Sequence, residues 1–191
     1  MSLAFIRVPK TGSTVIASQI QALNDPCLTD RHVTAAEFAA HGHPHEFITL
    51  ARDPLQMQCS AYYYLKPRVR QPDLPPAAYK YDPLTIQMLQ NNCTLDEFLT
   101  EHPGDQFMAK YWAGEDPRNF LWVGLQTAMG ESLGILESLT GLALENRYIN
   151  MGTHSGVYVV PDAVEQVFRA RNQGEYEMYA KAVEKFETLS R

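Results

Sequence analysis

The sequence predicts an α/β fold: one domain over residues 1–191, with a central parallel sheet between two layers of helices. Three observations carry this. Short apolar runs read as strands buried on both faces. Helical patterns separate one run from the next. Capping residues, prolines and glycines punctuate the junctions.

The first strand is expected over Leu3–Val8. It is followed by a helical pattern at Val15–Leu23, which sets Ile16, Ile20 and Leu23 on one face. Thr34-Ala35-Ala36-Glu37 has the form of a capping box, and so does Thr94-Leu95-Asp96-Glu97. The second strand is expected over Glu46–Ala51. Asp53-Pro54 then fits a helix start, with proline in the first turn. The third strand is expected over Asn119–Gly124 and the fourth over Arg147–Asn150. Between them a helix over Gln126–Leu139 stops at Gly141. Pro161 opens a long polar helical region that breaks near Asn172-Gln173-Gly174 and continues through Tyr176, Tyr179, Val183 and Phe186. Residues 67–83 hold five prolines and little periodicity, which makes them a loop. A long loop in a compact domain is often functional.

Composition narrows the class. With 45% hydrophobic residues the chain can bury a core. A net charge of −6 argues against a non-specific nucleic-acid binder, although a few local cations can still hold an anionic ligand. The apolar runs are too short to span a membrane. No charged segment followed by an apolar stretch opens the chain, so a cytoplasmic location is expected. Cys27, Cys59 and Cys93 are odd in number and form no C-x-x-C pair, which predicts thiols rather than disulfides or a structural zinc site.

The chemistry concentrates in two stretches. The first is Pro9-Lys10-Thr11-Gly12-Ser13-Thr14, between the first strand and the first helix. A strand–loop–helix junction aims backbone N–H groups and the positive end of the helix dipole at the loop. Lys10 adds a full charge, Gly12 allows close approach, and Ser13 and Thr14 add hydroxyl donors. This is the composition of an anion cradle. It is not a Walker A loop, because the lysine precedes the glycine and no glycine opens the loop. The second stretch begins at Arg52, where the second strand ends. Ligands of open α/β sheets bind at that edge, and a guanidinium suits phosphate oxygens. Ser60 follows eight residues later, about two helical turns on.

The pattern PKTGST followed by RDPxxxxxSxYYY resembles the sulfotransferases that use 3'-phosphoadenosine 5'-phosphosulfate (PAPS). It is most similar to the carbohydrate type, which includes heparan and chondroitin sulfotransferases and their small bacterial relatives. DQFMAKYWAG (105–114), FLWVGLQTAMGESLGILESLTGL (120–142), YINMGTHS (148–155) and GEYEMYAKAVEKF (174–186) resemble later family segments, in the same order. The resemblance implies a P-loop NTPase-like α/β/α fold and sulfuryl transfer from PAPS to an acceptor hydroxyl, on a carbohydrate or a small molecule, with no metal. It implies that Lys10, Thr11, Gly12, Ser13 and Thr14 hold the 5' phosphosulfate, with Lys10 stabilising the leaving oxygen. It further implies that Arg52 and Ser60 hold the 3' phosphate. In part of the family a Gly-His pair before the second motif supplies the base. Gly42-His43 is similar to that pair, with His41 and His45 as neighbours.

Two positions depart from the family pattern. Met57 stands where an arginine is frequent, and Thr127 stands where a glutamate follows Val-Gly-Leu-x. They leave open a module that binds PAPS or 3',5'-ADP without turnover. A P-loop kinase is a further alternative, which the loop order disfavours. LKPRVR (65–70) is expected to steer an anionic acceptor, to close over the donor, or simply to be a solvated charged loop.

Overall fold

The computed structural model describes residues 3–23, 32–40, 46–69, 81–102, 104–146 and 157–191. In chain order the elements begin with β1 (Leu3–Ile6), α1 (Ser13–Ala22), α2 (Ala35–Ala40), β2 (Glu46–Ala51), α3 (Pro54–Leu65) and α4 (Pro83–Gln90). They continue with α5 (Leu95–Glu101), α6 (Phe107–Trp112), β3 (Trp122–Leu125), α7 (Met129–Thr140), α8 (Asp162–Arg171) and α9 (Gln173–Leu189). Short 3-10 turns, Pro117–Asn119 and Gln126–Ala128, flank β3. The chain clusters into two compact units. The first comprises residues 1–52, 107–150 and 174–191, and the second residues 53–106 and 151–173.

The first unit is α/β. Its three strands pair in parallel in the order β1-β2-β3, with Ile6 opposite Thr49 and Ala51 opposite Leu125. Every residue of β1 and β3 is buried, as expected for strands covered on both sides. Phe5, Ile48, Leu50 and Trp122 join Ile16 and Ile20 of α1 and Leu133 and Leu136 of α7 in one apolar cluster. Truncating Ile16 or Ile20 to alanine should cost about 2–5 kcal/mol. Alternation along the strands turns Thr49 to the opposite face, where Trp112 of α6 donates to its Oγ1 at 3.2 Å. Thr49 in turn donates to Ile6 O at 3.0 Å, tying β2 to the end of β1. Glu175 caps α6, accepting from the N–H groups of Met108 at 3.1 Å and Ala109 at 2.8 Å. Burial pushes its carboxyl up, and these two donors pull it partly back.

The second unit is helical among the described residues. Tyr62 of α3 is buried against Phe98 of α5, with ring centroids 5.4 Å apart. Tyr63 stacks on Tyr158. The Gln56 amide bonds both the carbonyl and the N–H of Tyr158, at 2.8 and 2.7 Å. His102 is buried beyond α5. Gly104 N–H donates to its Nδ1 at 2.9 Å, so the ring proton sits on Nε2 and points to Thr85 Oγ1 at 2.7 Å. Thr85 passes its own proton to Asp105 Oδ1 at 3.1 Å. Gly104 has φ +82, and a Cβ there would lie 2.2 Å from Asn172 Oδ1, so a larger residue would be strained and would have to displace the Asn172 side chain.

Where an element was expected among the described residues its type agrees, α4 and α6 were not expected, and several boundaries move for local reasons. β1 stops at Ile6, because the Val8 N–H folds back to Ile6 O at 3.2 Å and leaves the ladder. β3 starts at Trp122, because the Asp116 carboxylate accepts from Arg118 N–H and winds Pro117–Asn119 into a 3-10 turn. The long C-terminal helical region breaks at Asn172, whose side chain donates to Phe168 O at 2.9 Å. Both capping boxes form. The expected fourth strand, Cys27, and most of the proline-rich loop lie outside the described residues. Cys59 and Cys93 are thiols. Among the described residues, no helix is long and apolar enough to cross a membrane.

Candidate functional site

The three parallel strands deliver their carboxyl ends to one edge of the first unit. There the chain leaves β1 through Arg7, Val8 and Pro9 into the turn Lys10-Thr11-Gly12. The turn has left-handed backbone on both sides of Thr11, with φ 65 at Lys10 and φ 90 at Gly12. A Cβ at Gly12 would meet only ordinary contacts, Met129 Cε at 3.4 Å and Leu50 Cδ2 at 3.8 Å. Backbone conformation, not space, therefore asks for glycine here.

The carbonyls of this turn are held by the protein itself. Ile6 O accepts from Thr49 Oγ1 and from Val8 N–H. Arg7 O accepts from His32 Nδ1 at 2.8 Å. Val8 O accepts from two hydroxyls, Thr11 Oγ1 at 2.8 Å and Ser13 Oγ at 3.0 Å. Lys10 O accepts from Arg52 Nη1 at 3.0 Å. The negative ends of these four peptide groups are thus bound to internal donors, which lowers the repulsion an anion would otherwise meet.

The donor side of the turn is built differently. α1 starts at Ser13 with Gly12 as its N-cap, so no side chain bonds back over the first N–H groups, and the first turn carries no acidic residue. Val15 N–H turns back to Gly12 O at 3.1 Å, and the N–H groups ahead of it carry the positive end of the helix dipole. Thr14 is exposed at this end, and Lys10 is half-buried beside it in sequence. Thr11 and Ser13 are buried with their hydroxyl protons directed at Val8 O. Their hydroxyls brace the loop, and what they can offer an anion is backbone N–H.

Arg52 follows β2 directly and is half-buried. Its bond to Lys10 O joins the two sequence motifs at the sheet edge. Ser60 lies in the second unit, on α3, half-buried. Met57 lies on the same helix with its side chain buried, and Thr127 is exposed in the 3-10 turn after β3. Two cations of the LKPRVR segment are engaged on α3. Lys66 donates to Tyr62 Oη and Cys93 O, and Arg68 lies 3.8 Å over the Tyr64 ring. His43, with His41 and His45, lies outside the described residues.

Sequence reasoning did not single out His32 or Thr49, which both hold the turn. Thr49 carries a weak signal, a polar residue inside an apolar strand. His32 carries none, because its contact with Arg7 joins residues 25 apart.

No protein-family model matches the chain, and a search of curated proteins returns no match.

Proposed function

We propose that this chain is a sulfotransferase of the P-loop NTPase-like α/β/α class, moving a sulfuryl group from PAPS to an acceptor hydroxyl on a carbohydrate or small molecule. One observation carries the reading. The turn after β1 binds its own carbonyls inward, leaves the start of α1 without a cap, and is tied through Lys10 O to Arg52. That combination suits a ligand with phosphate or sulfate at one end and a second phosphate elsewhere. The backbone of residues 10–14 would hold the 5' phosphosulfate. Lys10 would stabilise the charge that grows on the bridging oxygen as the bond to sulfur breaks. Arg52 would take the 3' phosphate with its guanidinium group. Ser60 enters on its motif alone.

Met57 favours a second reading. It is an apolar residue at 1% exposure where the resembled family frequently has arginine, so one donor contact is replaced by core packing. A module that binds 3',5'-ADP without turnover fits that substitution. Calorimetry with 3',5'-ADP, 5'-AMP and ATP with magnesium, combined with turnover of PAPS, separates the cases. The enzyme binds 3',5'-ADP far better than 5'-AMP and turns PAPS over. The module binds but does not turn over. Tighter binding of ATP with magnesium would point to a kinase and remove the proposal.

A further inference from the structure

We infer that Glu175 is a positioning residue for the turn after β1, acting through α6, a reading that rests on the proposed binding of PAPS and 3',5'-ADP at that turn. α6 has only six residues, too few to hold a helix by its own hydrogen bonds. A left-handed alanine, Ala113 at φ 52, follows its last residue, and such strain persists only where the surroundings hold the chain. Glu175 supplies that hold. Its two oxygens take one N–H each, Oε2 from Met108 and Oε1 from Ala109. The side chain is buried, and burial opposes its charge. Glutamine would be easier to bury, but it has a single acceptor oxygen and could not close on both N–H groups in this way.

The load on α6 explains why a carboxylate is kept there. Its last two residues, Tyr111 and Trp112, are both buried. Trp112 Nε1 donates to Thr49 Oγ1 at 3.2 Å, and the proton of that hydroxyl goes to Ile6 O at 3.0 Å. Tyr111 leans on the His32 ring with centroids 5.8 Å apart, and His32 Nδ1 donates to Arg7 O at 2.8 Å. Ile6 and Arg7 are the last residues before the chain folds back at Val8. One short helix thus backs two successive carbonyls, and one buried carboxylate sets that helix. Every step of this path lies within the first unit. A shift of α6 would loosen the donors on both carbonyls together. Their uncovered negative ends would repel an anion at the turn, and Lys10 and Gly12 would lose the fixed exit from β1 on which their placement depends.

The test is 3',5'-ADP affinity, measured by calorimetry. Glu175→Gln keeps the size of the side chain and gives up one acceptor, and Thr49→Val gives up the hydroxyl while keeping the shape. Each should weaken binding roughly tenfold, within the range that packed networks transmit. Thr49→Ser, which keeps the hydroxyl, should bind within about twofold of the parent chain. Because Glu175 and Thr49 share a path, the double variant should bind no more than about threefold worse than the weaker single variant, whereas independent sites would multiply their losses. Phe186→Leu loosens α9 about three turns from Glu175, and its urea midpoint should fall with affinity unchanged. In the parent chain 3',5'-ADP should slow hydrogen exchange at the Met108 and Ala109 N–H groups more than in the middle of α7, because coupling is reciprocal. That readout needs no variant to fold. A parent that binds 3',5'-ADP, with Glu175→Gln binding as tightly, overturns the inference alone. So do losses that multiply in the double variant, an equal loss in Phe186→Leu, or exchange at Met108 and Ala109 that the nucleotide leaves unchanged. A parent chain that does not bind 3',5'-ADP removes the underlying reading as well.

Discussion

β1 and β2 run side by side in parallel, and each hands the chain to a helix through a short turn, but the two helices begin in opposite ways. α3 begins closed. Asp53 is its N-cap, accepts from Gln56 N–H at 3.0 Å, and Pro54 removes one further N–H from the first turn. α1 begins open, on a left-handed glycine with no side-chain cap and no acidic residue in its first turn. The closed start satisfies its own donors and repels anions. The open start leaves its donors to solvent or to a ligand, and its internal hydroxyls are spent on a carbonyl instead. Local stability is given up at one turn and kept at the next, as is usual where strain gathers at functional sites.

Removing the cation of the open start should have the largest effect. Lys10→Ala is expected to lower sulfate release from PAPS by about 10²–10³-fold, with 3',5'-ADP affinity changed less than tenfold. Equal losses in rate and affinity would show that Lys10 only binds the donor. Arg52→Ala comes next. It should weaken 3',5'-ADP binding by about 2 kcal/mol, or thirtyfold, while 5'-AMP affinity barely changes. Equal weakening of both nucleotides would assign Arg52 to bracing Lys10 O. Gly12→Ala should cost about 1–2 kcal/mol in urea unfolding through its left-handed backbone. An unchanged urea midpoint would show that the turn relaxes. The smallest effect belongs to the closed start. Asp53→Ala should cost about 1 kcal/mol of stability and leave nucleotide affinity alone. A gain in anion affinity on that change would blur the distinction between the two turns.

Much of this architecture can be read in the residues. Apolar runs marked the strands, and Thr34 and Thr94 marked two helix starts through boxes that form as written. Asp-Pro is a third signal, and it was used only at Asp53-Pro54. The same pair opens α4 at Asp82-Pro83, where Asp82 accepts from Leu84 N–H at 2.7 Å, and opens the 3-10 turn at Asp116-Pro117. α4 was therefore legible just after the stretch read as loop, where no element was expected. Within the candidate site, the spacing brought out Lys10, Gly12 and Arg52, because their chemistry is local. It could not reveal that Thr11 and Ser13 turn inward, since a hydroxyl in a loop reads as a ligand donor until its acceptor is known. His32 was beyond reach for the same reason, as its role depends on a carbonyl distant in the chain.

The buried chain from His102 through Thr85 to Asp105 sets how the helical unit meets acid. Burial, with a smaller contribution from Arg171 and partial opposition from Asp82, pushes the His102 imidazole down to about 4 from its ordinary 6.5. Above pH 6.5 the ring is neutral folded or unfolded, and the histidine's contribution to stability is complete. Between 6.5 and 4 the unfolded chain takes up a proton that the folded chain refuses, so stability drains away. Below 4 both states are protonated and the loss stops. The gap corresponds to about 3 kcal/mol. Urea midpoints for the parent chain should fall through this window more steeply than those of His102→Gln, which lacks the titrating ring. Parallel slopes would mean that the ring protonates without leaving its bonds. Acidification thus acts on the helical unit through a buried chain of side chains that is no part of the turn after β1.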